Sequence, residues 1–337
     1  MKKGMFLCGV MLAFLSFSCS TDDDTGGGGG GIDQIVRGTL YATSNSKNTI
    51  GIYKFTPQGV AGGLNTVSSN NNEGIFYNKE KDELIINSRQ QKVVNIYGNI
   101  KNAEAGTDLS LKTSSSSVLQ NPRDVVENGN YLIVSDGELG ADEGKYLIFE
   151  RDEEGLTLRN TLTVEFDVWG MLMIGNDLYA TIPNTGDVAV FKNFVATHTT
   201  DATIAPDKRI TLGGMNNLRG IAADQGIFVF TDAGEIGNTI DGSFSMVYGF
   251  VQKLNNVENG GTMAASEQLK VSGQLAKLGD PVGVAYNDQN KVVMIAENIH
   301  NGGAVHMYQN VEVGGEIPPV AVYPLEKASS VFYSSNL

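Results

Sequence analysis

The chain has 337 residues, with 24 Lys and Arg against 38 Asp and Glu, a formal charge of -14 and only 18% charged residues. That acidic balance excludes a nucleic-acid binder, which needs a concentrated basic surface to neutralise phosphates, and two Cys with three His exclude a disulfide scaffold or a zinc array. Apolar residues at 41% are enough for a core, and the length suits two ordinary domains or one large repeat domain.

The N-terminus places Lys2 and Lys3 before an apolar run from Gly4 to Ser18 that ends at Cys19. The run is short for a bilayer span and has the form of a secretory signal. Leu15-Ser16-Phe17-Ser18-Cys19 resembles the lipobox of bacterial lipoproteins, with Ser16 where Leu is usual and a small Ser18 before the cysteine. The resemblance implies cleavage after residue 18 and acylation of Cys19, giving an outer-membrane lipid as a partner. The acidic Asp22-Asp23-Asp24 that follows resembles the export signal of Bacteroidota-type surface lipoproteins. Gly26–Gly31 reads as a flexible tether. The expected organisation is a signal over 1–18, a tether over 19–37 and a folded domain over 38–337, lipid-anchored and exposed at the bacterial surface.

From Gly38 onward one phrase recurs: an apolar strand, a second strand after Gly, Asn or Asp, and a third strand ending in an aromatic. Copies begin at Glu73-Gly74-Ile75, Pro122-Arg123-Asp124-Val125, Val168-Trp169-Gly170-Met171, Leu218-Arg219-Gly220-Ile221 and Pro281-Val282-Gly283-Val284. Most steps between the first apolar residues are 46 to 50, and one is 63. A period of about 40–50 with several short strands per unit marks propeller blades. Fourth strands are expected at Leu156–Val164, Lys208–Leu212, 268–271 and 320–325, a third strand at 245–250, and helices should be minor. The head of the domain reads as second and third strands, and the missing first strand is Ser330-Val331-Phe332-Tyr333 at the tail. The fold class is therefore all-β, a six-bladed propeller in which both ends of the domain share one blade, leaving no open inner edge.

These phrases, with Asn176-Asp177-Leu178-Tyr179-Ala180, resemble the six-bladed propellers of the NHL and gluconolactonase-like (SMP-30) superfamily over nearly the whole folded domain. The resemblance implies a site where first strands start, the place of metal ligands in the gluconolactonase-like enzymes. Those slots here hold Glu73, Arg123, Trp169, Arg219, Val282 and Ser329. Only Glu73 is a natural metal ligand, so no cofactor is expected. Calcium is the one ion with nearby ligands, in the acidic loop carrying Asp136, Glu138, Asp142 and Glu143, which lacks EF-hand spacing.

Guanidiniums bind carboxylates and phosphates bidentately, and an indole face stacks on a sugar. Arg123, Arg219 and Trp169 therefore read as a pocket for an anionic or carbohydrate ligand. The alternative is that the arginines pair with Glu73, Asp124 or Asp232 and the tryptophan plugs the channel. Second-strand ends add Arg89, Asp136, Asn184, Asp232, Glu297 and Asn298 to the same face, and His300 is its one candidate general base. No nucleophile elbow or phosphate loop is present. The expected function is non-catalytic capture of an extracellular glycan, small anion or envelope protein at the channel mouth. The competing reading is a hydrolase or lyase acting on a sugar or lactone.

Overall fold

The computed structural model describes residues 37–335 apart from 139, 154 and 236. The signal, Cys19 and all of the tether but its last residue lie outside the described residues. Among those described, no helix is long and apolar enough to cross a membrane.

Six antiparallel sheets form six blades. Blade 1 runs outward from Ala328–Ser335 through Gly38–Ser44 and Thr49–Thr56 to Gly59–Thr66. Blade 2 holds Asn72–Asn78, Glu83–Ser88, Val93–Gly98 and Ser110–Ser114; blade 3 holds Pro122–Asn128, Tyr131–Gly137, Gly144–Arg151 and Leu156–Val164. Blade 4 holds Met171–Ile174, Asp177–Ile182, Asp187–Phe191 and Lys208–Leu212; blade 5 holds Leu218–Asp224, Ile227–Asp232, Ser243–Tyr248 and Leu269–Ser272. Blade 6 holds Pro281–Asn287, Val292–Glu297, Ala304–Tyr308 and Ala321–Pro324. The ring closes as the sequence predicts: Leu40 pairs with Tyr333, Tyr41 with Phe332 and Ala42 with Val331.

The second strands read as near-continuous apolar runs because both faces are covered by neighbouring blades. Leu84, Ile85 and Ile86 are fully buried, and so are Leu132, Ile133 and Val134. The core divides into clusters that bridge adjacent blades, as where Tyr179 of blade 4 packs on Phe228 of blade 5 and on Phe250. Burying such side chains contributes about 1.5–3 kcal/mol each.

One expectation shifts, and two outer strands are added. The third strand of blade 5 is Ser243–Tyr248, not 245–250: Gly249, at φ 63, ends it, and Phe250 opens the short helix Phe250–Asn256. The outer strands Gly59–Thr66 and Ser110–Ser114 carry no apolar signal because they are largely exposed. Segments between third and fourth strands also reach back to the preceding blade. Ala202–Thr203 adds in parallel to the outer strand of blade 3, and Thr262–Met263 to that of blade 4.

The inner strands are bulged near their starts in five blades, between Glu73 and Ile75, Pro122 and Asp124, Leu218 and Ile221, Pro281 and Gly283, and Ala328 and Ser330. The residues following the six predicted slots are Gly74, Asp124, Gly170, Gly220, Gly283 and Ser330. Five of the six are Gly or Ser, and at the glycines a side chain has no room. A Cβ on Gly170 would sit 2.4 Å from the Arg219 carbonyl oxygen, and one on Gly220 would sit 2.9 Å from Val284 N. Second-strand side chains of blades 2, 3 and 4 then stitch each of these blades to the next. Asn87 donates to the Asp124 carbonyl, Ser135 to that of Trp169 and Thr181 to that of Arg219. These bonds are buried or partly buried, so removing one donor strands a carbonyl at a cost of about 1–3 kcal/mol.

Candidate functional site: the charged channel mouth

Strand starts at one end of the ring bring Glu73, Arg123, Trp169 and Arg219 together from four consecutive blades. Glu73 Oε2 accepts from Arg89 Nη1 at 3.1 Å and from Arg123 Nη1 at 3.3 Å. Arg123 Nε donates to the Gly137 carbonyl at 3.0 Å. Its guanidinium lies 4.3 Å from the centre of the Trp169 ring, and so does that of Arg219. The indole is thus engaged by two cations, each contact worth about 0.5–2 kcal/mol. Stacking a sugar on Trp169 would have to compete with them.

The two arginines differ in their partners. Arg123 has a carboxylate and a carbonyl. Arg219 is only 3% exposed, and its side chain's one hydrogen bond among the described residues is a long 3.4 Å contact from Nη1 to the carbonyl of its neighbour Leu218. Its Nε is buried with no hydrogen-bond partner among the described residues, and the same holds for Arg89 Nε and Asp167 Oδ2. No carboxylate lies within ion-pair distance of Arg219 among the described residues. Burial, with the charge of Arg123 nearby, brings the guanidinium down to about 10, opposed by Asp280, Asp167 and Glu73. It remains a cation at neutral pH without a close counter-charge.

Asp280, in the turn entering blade 6, is part-exposed. Burial and the charges of Glu297 and Glu73 raise its carboxyl to about 6, although Arg219 and Lys327 pull it down. Asp167, entering blade 4, is likewise raised by burial and lowered by Arg123 and Arg219. Neither was singled out as a site residue in the sequence, because both precede the strand starts. The signal was present as an acid just before the first strand.

The remaining predicted residues are committed to the frame. Asp232 accepts from the backbone N–H groups of Asn216 and Asn217, both at 3.0 Å. Glu297 is fully buried and accepts from Gly279, Asp280, Ile299 and His300 N–H groups. Asp136 holds Gln120 and Asn121 in the same way. Each carboxylate clamps the turn that enters its own blade, with both of its oxygens engaged by backbone N–H groups. Asn298 donates to the Ala328 carbonyl, tying blade 6 to blade 1. His300 Nδ1 meets the Thr239 carbonyl at 2.8 Å; since a carbonyl only accepts, Nδ1 is the donor there. Val282 and Ser329 are buried, and Ser329 Oγ donates to the Asn72 carbonyl. Among the described residues no three His, Cys, Asp or Glu side chains gather as a metal site.

The chain matches no family model and no curated protein. Solved structures share its fold. A periplasmic gluconolactonase of Pseudomonas aeruginosa superposes with a TM-score of 0.57 at 12% identity, covering 88% of this chain and 99% of that one. A protein of Bacteroides fragilis provisionally named a 6-phosphogluconolactonase gives 0.59 at 10% identity, covering 91% and 100%. A chain of a nidogen–laminin complex gives 0.57 at 10% identity, covering 88% and 97%. At such identities the likeness is one of fold, and a fold does not by itself fix a function.

Proposed function

We propose that this protein is a lipid-anchored propeller at the bacterial surface that captures a small anionic ligand, a sugar acid or phosphorylated sugar, at the arginine-rich mouth. The observation that carries the proposal is Arg219: a buried cation with an unused Nε–H and no close carboxylate. Leaving a buried charge unpaired is costly, and a carboxylate or phosphate arriving from solution supplies the missing partner. Glu73, shared with Arg89, and the Gly137 carbonyl hold Arg123 in place, and the Trp169 ring lies against both Arg123 and Arg219. Asp232, Glu297 and Asn298 stay outside the ligand set because their polar atoms serve the backbone. The tether joins the ring at Gly38, which pairs with Ser335. Second strands run from that end toward the mouth, so the described chain enters the ring at the end opposite the mouth.

Calorimetric titration with D-glucuronate, D-gluconate and D-glucose tests this. The acids should bind and glucose should be at least tenfold weaker, with Arg219→Gln removing the preference. Equal affinity for glucose and glucuronate, or an unchanged preference in Arg219→Gln, overturns it.

A catalytic reading is favoured by one feature, the raised carboxyl of Asp280 at the same mouth, within reach of the Arg219 field but not paired with it, which suits general-base activation of water against a lactone. Hydrolysis of δ-gluconolactone above the spontaneous rate, lost in Asp280→Asn, would support it. A wild-type rate equal to the spontaneous one would leave binding as the function.

A further inference from the structure

The other end of the channel carries a second, independent site. Below the ring of small residues the inner strands diverge around a cavity of about 370 Å3, within the range of small-molecule sites. Its upper wall is an apolar belt with one residue from each blade: Ile75, Val125, Met171, Ile221, Val284 and Val331. Its lower rim carries Phe76, Phe332, Tyr286 and Tyr333, with the Phe76 and Phe332 rings set edge-on at 4.9 Å. Phe76, Phe332 and Tyr333 keep part of their surface open to water.

Charge in this cavity is of one sign. Asp124, Glu127 and Asp224 line it, and no Lys, Arg or His does. Glu127 is neutralised by Arg151 at 3.5 Å and holds Asn78. Asp224 accepts from the Asp288 N–H at 2.9 Å and more weakly from Asn287. Asp124 is the one large side chain in the ring of glycines and serine, and it stands at the cavity floor. Its two oxygens accept only backbone N–H groups, of Val125 and Met171, each at 2.8 Å. No cation pairs with it among the described residues. Burial raises its carboxyl to about 7 against the pull of those two N–H groups, and Glu73 on the far side of the constriction adds to the rise. A negative floor under apolar and aromatic walls matches a ligand with one positive charge and a hydrocarbon body.

We propose that this cavity binds an apolar organic cation, an alkyl- or arylammonium, with its nitrogen over Asp124 and its body against the belt and the aromatic rim. The site lies across the constriction from the arginine mouth and takes the opposite charge.

Titrating the folded chain with benzyltrimethylammonium, benzyl alcohol and phenylacetate decides it. The ammonium should bind at least tenfold more tightly than the alcohol, and phenylacetate more weakly than either. Asp124→Asn should erase the preference for charge, and Ala222→Phe, which fills the cavity, should remove binding of both ammonium and alcohol. Arg219→Gln should leave ammonium binding unchanged. If Asp124→Asn does not fold, Asp224→Asn serves, with a loss of about threefold expected. Equal binding of ammonium and alcohol, tighter binding of phenylacetate, or ammonium affinity unchanged in Ala222→Phe would overturn the assignment.

Discussion

The two ends of one channel are built from the same inner strands, yet they solve opposite problems. At the mouth, strand starts deliver long charged side chains, and the cluster is crowded and strongly coupled: Arg89, Arg123 and Arg219 against Glu73, with Asp167 and Asp280 at its flanks. At the other end the strands supply apolar residues around a void whose uncompensated charge is negative. The boundary is a ring of four glycines, Ser330 and Asp124. The comparison shows that a repeat fixes where side chains point, while the residues occupying equivalent slots fix the sign and shape of what each end can hold.

The largest effect should come from opening the ring on which both ends depend. Deleting residues 328–337 removes the inner strand of blade 1 and exposes the edge of Gly38–Ser44. Cooperative thermal unfolding should then be lost, or the protein should become insoluble. A truncated chain that melts like the full one would mean that the ring does not depend on this closure.

Within the mouth, the arginines should part company. Arg123→Met strands Glu73 beside a single remaining cation and leaves the Gly137 carbonyl without its donor, so it should cost about 3–5 kcal/mol in urea unfolding. Arg219→Met removes a charge with no close partner and should leave stability unchanged or raise it by up to about 2 kcal/mol. Equal losses in the two variants would show that Arg219 serves the frame rather than a ligand. A smaller loss, about 1–3 kcal/mol, is expected for Thr181→Val, which strands the Arg219 carbonyl and the Gly170 N–H where blades 4 and 5 meet.

The smallest effects separate the two ends by the sign of their pH dependence. Asp280, near 6 and facing Arg219, Glu297, Glu73 and Lys327, gains its proton as pH falls from 7 to 5. That removes negative charge beside Arg219, so glucuronate, itself ionised throughout, should bind a few-fold more tightly at pH 5. Asp124, near 7, faces Glu73 across the constriction and shares the cavity with Glu127 and Asp224. Its protonation below pH 7 should weaken ammonium binding a few-fold. Parallel trends at both ends would break the contrast. Because the folded value of Asp124 lies above that of an unfolded aspartate, its contribution to stability is complete below about pH 4 and fades as pH rises through 7. Wild type should therefore lose ground to Asp124→Asn over that range.

The repeat made much of this legible. Aligning the phrases located the closing strand, and Leu156–Val164 and Lys208–Leu212 fall where the structure has them. The slot residues Glu73, Arg123, Trp169 and Arg219 do meet. What escaped was set by hydrogen bonds rather than periodicity. Asp232 and Glu297 read as mouth residues, Asp232 also as a partner for the arginines, but a carboxylate at the end of a second strand faces the unsatisfied N–H groups of the turn entering its blade. Asp167 and Asp280 sit in those turns and were passed over as connectors. Asp124 stood in plain view as the exception in a column of small residues, but its meaning depends on the constriction those residues build. The short back-reaching strands Ala202–Thr203 and Thr262–Met263 carry no pattern of their own.

The claim that Arg219 awaits an anion can be tested at the atom concerned. In a nitrogen-15 NMR titration with glucuronate, the side-chain Nε–H resonance of Arg219 should move along the binding curve, while that of Arg123, already bonded to the Gly137 carbonyl, should barely shift. If the Arg219 resonance stays fixed while glucuronate saturates the protein, the ligand binds elsewhere and the mouth is a structural plug.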